Sequence, residues 1–238
     1  MKKLLISLVI LLLASPALAT TATFQNGIDS YTGEIDCFLD SDVPNTHRAI
    51  DGLQIRSYAT PVIFFDLTSI PTTATVSSAV LTIKVQEVSN CTSETVQAIK
   101  IEDPDSSGVP SMSATETLGV GDQYANWLYK NDTNNTDWSS AESNDFTDVD
   151  DNAVEGSVSI AGCPGSYAFK DLTITNMVQD WVTTPAANAG MFFNCASSCG
   201  VNILGRFAET ATDAPKLVIE YTDEGGGETT SRVILINE

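Results

Sequence analysis

The side chains in this chain that could do chemistry are carboxylates, aromatic rings and cysteines. Residues 145–152 read DFTDVDDN, which sets Asp145, Asp148 and Asp150 close together in a polar stretch. Hard cations take several oxygen ligands, and carboxylates spaced closely on a loop supply them. The stretch is therefore a candidate Ca²⁺ site, weighed against a simply solvated acidic loop. Asp36 is a further candidate ligand, with capping of the neighbouring turn as its alternative role. Residues 132–137, DTNNTD, are a lesser candidate, lacking the glycine and terminal glutamate of an EF-hand loop.

The aromatic candidates are Tyr124, Trp127, Tyr129 and Trp138, gathered in one polar region. Ring faces stack on sugars while a few polar groups meet the hydroxyls, so these four are a candidate glycan platform. The competing reading has one of the tryptophans folding back to pin the loop. An acidic polymer would need cations, for which Arg48, Arg56, Lys84, Lys100, Arg206 and Lys216 are available; Arg56 and Arg206 join the rings as candidate ligand contacts. The chain has 11 Lys and Arg against 31 Asp and Glu, a formal charge of −20. Such a field repels nucleic acid and anionic lipid and favours a neutral or Ca²⁺-bridged glycan over an acidic one.

Signals for catalysis are missing from the sequence. It has no G-x-S-x-G elbow, no H-E-x-x-H and no phosphate-binding loop. Its single histidine, His47, sits in a polar loop. A glycosidase needs one carboxyl group in an apolar pocket and a partner at a set distance, and neither is legible. The expectation is a non-catalytic protein.

Residues 1–19, MKKLLISLVILLLASPALA, have a basic start, an apolar run and a small-x-small end. That is the pattern of a secretory signal peptide, and the run is short for a transmembrane helix. Cleavage after Ala19 removes Lys2 and Lys3 and leaves 9 Lys and Arg against 31 Asp and Glu, a formal charge of −22. The expected location is secreted or cell-surface, with no membrane span after cleavage. Export permits disulfides among Cys37, Cys91, Cys163, Cys195 and Cys199. Cys195 and Cys199 flank Ala-Ser-Ser and could clip a hairpin turn; the pairing of the others stays open.

The elements that must position these groups read as strands. Segments at 36–39, 61–66, 78–88, 96–101, 156–160, 166–169, 190–194 and 215–221 are rich in β-branched and aromatic residues between Gly, Pro, Asn and Asp clusters. Residues 61–66 read as buried on both faces. Residues 103–153 read as loop. One helix is expected at 175–182, with Thr175 as N-cap and Met177, Val178, Trp181 and Val182 on its buried face. Many short strands with one short helix predict an all-β fold, a jelly-roll-like β-sandwich over residues 20–222. Residues 223–230 read as an acidic Gly-rich linker, and 231–238 as a C-terminal strand that could open a further domain or add to a neighbour's sheet edge.

Several of these segments, taken in order, carry a family likeness. Residues 27–39 (GIDSYTGEIDCFL), 64–71 (FFDLTSIP) and 74–81 (ATVSSAVL) are followed by Asn126-Trp127, Asp137-Trp138, the D-L-T of 171–173 and the V-Q-D-W of 178–181. Asn188-Ala189-Gly190-Met191, Glu209 and residues 215–221 (PKLVIEY) complete the series. Over residues 23–222 this resembles the DNRLRE-domain family, disaggregatase-related β-sandwich modules that include carbohydrate-binding module family ninety-six. The chain departs from the pattern at Asn45 to Arg48, at Gly205 to Ala208 and in its cysteines. The resemblance implies binding rather than turnover. The expected function is a secreted module binding carbohydrate or another extracellular polymer. The alternatives are a structural subunit that contacts envelope proteins and a part of a polysaccharide-degrading enzyme.

Overall fold

The computed structural model describes residues 18–42, 44, 46–49, 52–56, 59–87, 93–101, 117–120, 129–131, 136–137, 149–161, 167–195, 201–205 and 210–223. Of these, 46–49, 86–87, 93–94, 117–120, 129–131, 136–137, 149–153, 161 and 202 are described by their backbone alone.

The chain folds into two antiparallel sheets packed face to face, with one short helix. The spine of the first sheet is a 13-residue strand, Thr75–Glu87 (β6). On one side it pairs with Ala168–Thr173 (β12). On the other it pairs with Lys216–Thr222 (β15) and then, end to end, with Val201–Leu204 (β14). Leu81 is matched by Leu172 and Leu217, and Val85 by Ala168 and Ile203. Ala19–Gln25 (β1) extends the sheet beyond β15, and Gly52–Ile55 (β4) beyond β14.

The second sheet holds seven strands. In spatial order they are Val149–Ala161 (β11), Ser93–Ile101 (β7), Met191–Cys195 (β13), Ala59–Phe65 (β5), Glu34–Asp40 (β2), Thr46–Ala49 (β3) and Thr117–Val120 (β8). Tyr129–Asn131 (β9) and Thr136–Asp137 (β10) form a separate two-stranded ribbon. The all-β sandwich expected from the sequence is the observed fold. The expected loop at 103–153 is not: β8, β9, β10 and the start of β11 lie inside it. β9, β10 and the start of β11 are mostly polar and β8 has only four residues, so side-chain pattern hides a backbone ladder that pairing creates. β1, β3, β4 and β14 also escape a pattern-based reading, being short or hydroxyl-rich.

Period-2 alternation explains the core. Ala79, Leu81, Ile83 and Val85 of β6 point inward and are fully buried, and Leu217 and Ile219 of β15 join them. From the other sheet come Phe38, Ile63, Phe65, Val96 and Phe193. Truncating one of these leucines to alanine costs about 2–5 kcal/mol. The second sheet is buried on both faces: Cys37, Leu39, Val62, Ile101 and Phe192 form a further apolar cluster. This agrees with the two-sided burial expected at 61–66.

The helix, Thr175–Thr183 (α1), buries Met177, Val178, Trp181 and Val182, as its spacing predicts. Thr175 is not its N-cap. Ile174 holds that position, and the Thr175 hydroxyl instead accepts the backbone N–H of Ala79 in β6 at 3.0 Å. Gln179 fastens the helix to the start of β6. Its Oε1 accepts the Val76 N–H at 2.7 Å, and its Nε2 donates to the Ala74 carbonyl at 3.2 Å. Pro185 follows the helix in a 3₁₀ turn, Pro185–Ala187, as a residue without an N–H should.

Candidate functional site

The site residues expected from the sequence are only partly within the described structure. Tyr124, Trp127, Trp138, Arg206, Asp145, Asp148 and Cys199 lie outside the described residues. Tyr129 is placed by backbone in β9, and Asp150 in β11, so Asp150 belongs to a strand and not to a loop. Arg56 is committed to structure: its guanidinium donates to the carbonyls of Ile55 at 2.9 Å and Val201 at 3.1 Å, tying the end of β4 to β14.

Asp36 lies within β2, not in a turn. With Glu34 it is wholly buried on the face that carries Phe38 into the core. Gly205 passes so close that a methyl group there would meet Asp36 Oδ2 at 2.5 Å. Both carboxylates have interaction partners, as buried charge requires. Sealed from solvent, neither reaches a substrate. Their charge is felt locally. Burial first, and then the Glu34 carboxylate, raises the Tyr31 phenol well above its ordinary value; Tyr31 also donates to the Asp66 carbonyl at 3.2 Å. Burial, with Asp36 adding, likewise raises the Cys37 thiol.

Cys37 is free and buried. Cys195 is disulfide-bonded, with its partner outside the described residues. The hairpin expected between Cys195 and Cys199 is not formed. β13 finds its partners in β5 and β7, while β14 pairs with β4 and β6, so the connection after Cys195 passes from one sheet to the other.

Two surface features remain. A cleft of about 80 Å³ beside α1 is lined by Leu67, Ile70, Trp181 and Pro185 among others. Ligand pockets run to about 300–1,000 Å³, so it is too small for a sugar ring. The other feature lies on the outer face of the first sheet. The exposed large apolar side chains among the described residues are Leu18, Val154, Tyr167 and Phe169. The last two sit two residues apart, Tyr167 just before β12 and Phe169 within it, on the same face, 39% and 56% exposed.

Lys84 of β6 joins these two rings. It is the register partner of Phe169. Its Nζ stands 5.4 Å from the Phe169 centroid and 5.6 Å from that of Tyr167, within cation–π range. The same Nζ lies 2.7 Å from Asp213 Oδ2. Two pairs further along, the Thr82 hydroxyl donates to Asp171 Oδ1 at 2.7 Å, with Lys216 opposite Thr82 on β15. Rings, an ammonium group, a hydroxyl and the Asp171 carboxylate thus share the outer surface of β6 and β12, with Asp213 reaching Lys84 from the 3₁₀ turn Ala211–Asp213. Lys84 was a sequence candidate; Tyr167 and Phe169 were not. The missed signal is parity. Both rings fall in step with Asp171 and Thr173, out of step with buried Leu172, and so must face solvent.

Among the described residues no group of three or more His, Cys, Asp or Glu side chains could hold a metal ion, and no helix is long and apolar enough to cross a membrane. No protein-family model and no curated protein matches the chain.

Proposed function

We propose that the chain is an exported, non-catalytic module that binds carbohydrate on the outer face of its first sheet, at Lys84, Tyr167 and Phe169. The observation that carries this reading is the pair of exposed rings gathered round one lysine on an otherwise polar strand face. Scattered exposed apolar residues are ordinary; adjacent aromatic rings flanked by hydroxyl and carboxylate groups are what a sugar needs. Sugar C–H faces stack on Phe169, and hydroxyls donate to Asp171. The signal-like residues 1–19 and the resemblance to DNRLRE-type modules support an extracellular polymer as the partner.

The test is a glycan array with wild type and Phe169→Ala, each with and without EDTA. Wild type binds a subset of glycans. Phe169→Ala weakens binding about tenfold, the worth of one aromatic contact, while leaving thermal unfolding unchanged because the ring is exposed. Loss of wild-type binding in EDTA locates Ca²⁺ in the ligand contact. Absence of glycan binding under both conditions overturns the proposal.

A further inference from the structure

The charge around the rings specifies what kind of glycan fits. We infer that the Lys84–Tyr167–Phe169 surface takes a neutral hexose polymer and rejects uronic-acid polymers. This rests on the glycan-binding reading above and narrows it. Among the described residues Lys84 is the cation set against both rings, and Asp213 already holds its Nζ at 2.7 Å. Both side chains are about one-fifth exposed, so the pair is set into the surface and not waving above it. Lys84 therefore serves as the underside of the platform, held between two rings, and offers no free charge to an incoming carboxylate.

Acceptors outnumber donors among the groups left to meet a ligand, and the further cation on this face, Lys216, stands opposite Thr82 on β15, away from the rings. Asp171 is exposed beside Phe169, and one of its oxygens accepts a hydrogen bond from the Thr82 hydroxyl, leaving further lone pairs for hydroxyl donors. Glu220 is exposed on the same face of β15. Neutral sugars are rich in hydroxyl donors and match this set. A uronate brings one negative charge per residue against Asp171, Asp213 and a chain of net −20. Asp213 is the specificity device: it cancels the cation that would otherwise recruit an acidic chain.

The experiment compares wild type with Asp213→Asn on soluble neutral β-glucan and mannan, and on alginate and polygalacturonate, by affinity electrophoresis at low and physiological salt. Wild type is expected to be retarded by a neutral polymer at least tenfold more strongly than by either acidic one. Asp213→Asn frees the Lys84 charge and is expected to narrow that ratio about tenfold, most clearly at low salt. Asp213→Ser, a second removal of the same charge, guards against a folding defect in the first variant: with thermal unfolding like that of wild type, it should narrow the ratio to the same extent. Wild-type preference for an acidic polymer, or an unchanged ratio in a folded Asp213→Asn protein, overturns the inference while leaving glycan binding intact. Retardation by neither polymer type overturns the glycan reading itself.

Discussion

Replacing Gly190 by alanine should be among the most damaging single-methyl changes in this protein. Gly190 has φ +89° and leads into β13. Its N–H donates to Asn188 Oδ1 at 3.2 Å, and its carbonyl accepts from the Ile101 N–H at 3.1 Å. Asn188, itself buried, donates from Nδ2 to the Phe65 carbonyl at 2.9 Å. This short turn therefore docks the new strand against β5 and β7 together. An alanine methyl would sit 2.7 Å from the Ile63 carbonyl oxygen, a backbone atom with little room to yield. The left-handed conformation costs a non-glycine residue about 1–2 kcal/mol, and forced overpacking adds about 1–3 kcal/mol. The expected loss is about 2–5 kcal/mol, a large part of the about 5–15 kcal/mol that holds a domain together. Gly52 supplies the contrast, because a methyl there meets nothing within 4 Å. Gly52→Ala should change stability by less than about 1 kcal/mol. Urea unfolding followed by tryptophan fluorescence reads both. A Gly190→Ala protein within about 1 kcal/mol of wild type, or equal losses at the two glycines, would refute the reasoning.

Two further outcomes follow from the cysteines and the buried acids. Ser93 pairs with Ala161 across β7 and β11, and two residues outward from that pair stand Cys91 and Cys163 in the sequence. Were the ladder to run on by two residues, the two cysteines would be opposed at about 4.5–5.5 Å, inside the about 4.4–6.8 Å that a disulfide spans. Non-reducing peptide mapping should return Cys91 linked to Cys163, Cys195 linked to Cys199 and Cys37 as a thiol; Cys195 joined to Cys91 or Cys163 would disprove it. The second outcome concerns pH. The Cys37 thiol and Tyr31 phenol are both raised in the folded state above ordinary values of 9.0 and 10.0. The folded protein thus keeps protons that the unfolded chain gives up, so their contribution is whole below about pH 9 and is lost above it. Cys37 alone sets a slope of about 1.4 kcal/mol per pH unit there. Unfolding free energies from pH 8 to 10.5 should fall more gently in Cys37→Ala, and identical slopes would sink the argument.

What the sequence disclosed follows how each residue is constrained. Strands facing apolar core announce themselves, β5 by its nearly unbroken apolar run and β6 by alternation. The helix does so by the spacing of Met177, Val178, Trp181 and Val182. Strands held mainly by ladder hydrogen bonds do not: β1 reads ATTATFQ, with no inward stripe before Phe24. Asp36 misled for a related reason. A carboxylate suggests solvent, yet its parity with Phe38 places it inside. The rings were legible only by the same parity argument, once Leu172 fixes which face of β12 is inward. The Gln179 and Gly190 positions of the family-like pattern have a physical reason apart from any ligand: one ties the helix to β6, the other lets β13 approach β5.

The pairing of β1 with β15 also decides how this module bears load. Ala19 lies opposite Thr222, so the outer ends of the two strands are side by side. A force applied between the start of β1 and the end of β15 would open that ladder one pair at a time, like a zipper, instead of shearing all its bonds at once. Unzipping spreads no tension through the core. The first and last strands would part at low force while the rest of the sandwich, and the rings on β12, stayed in place.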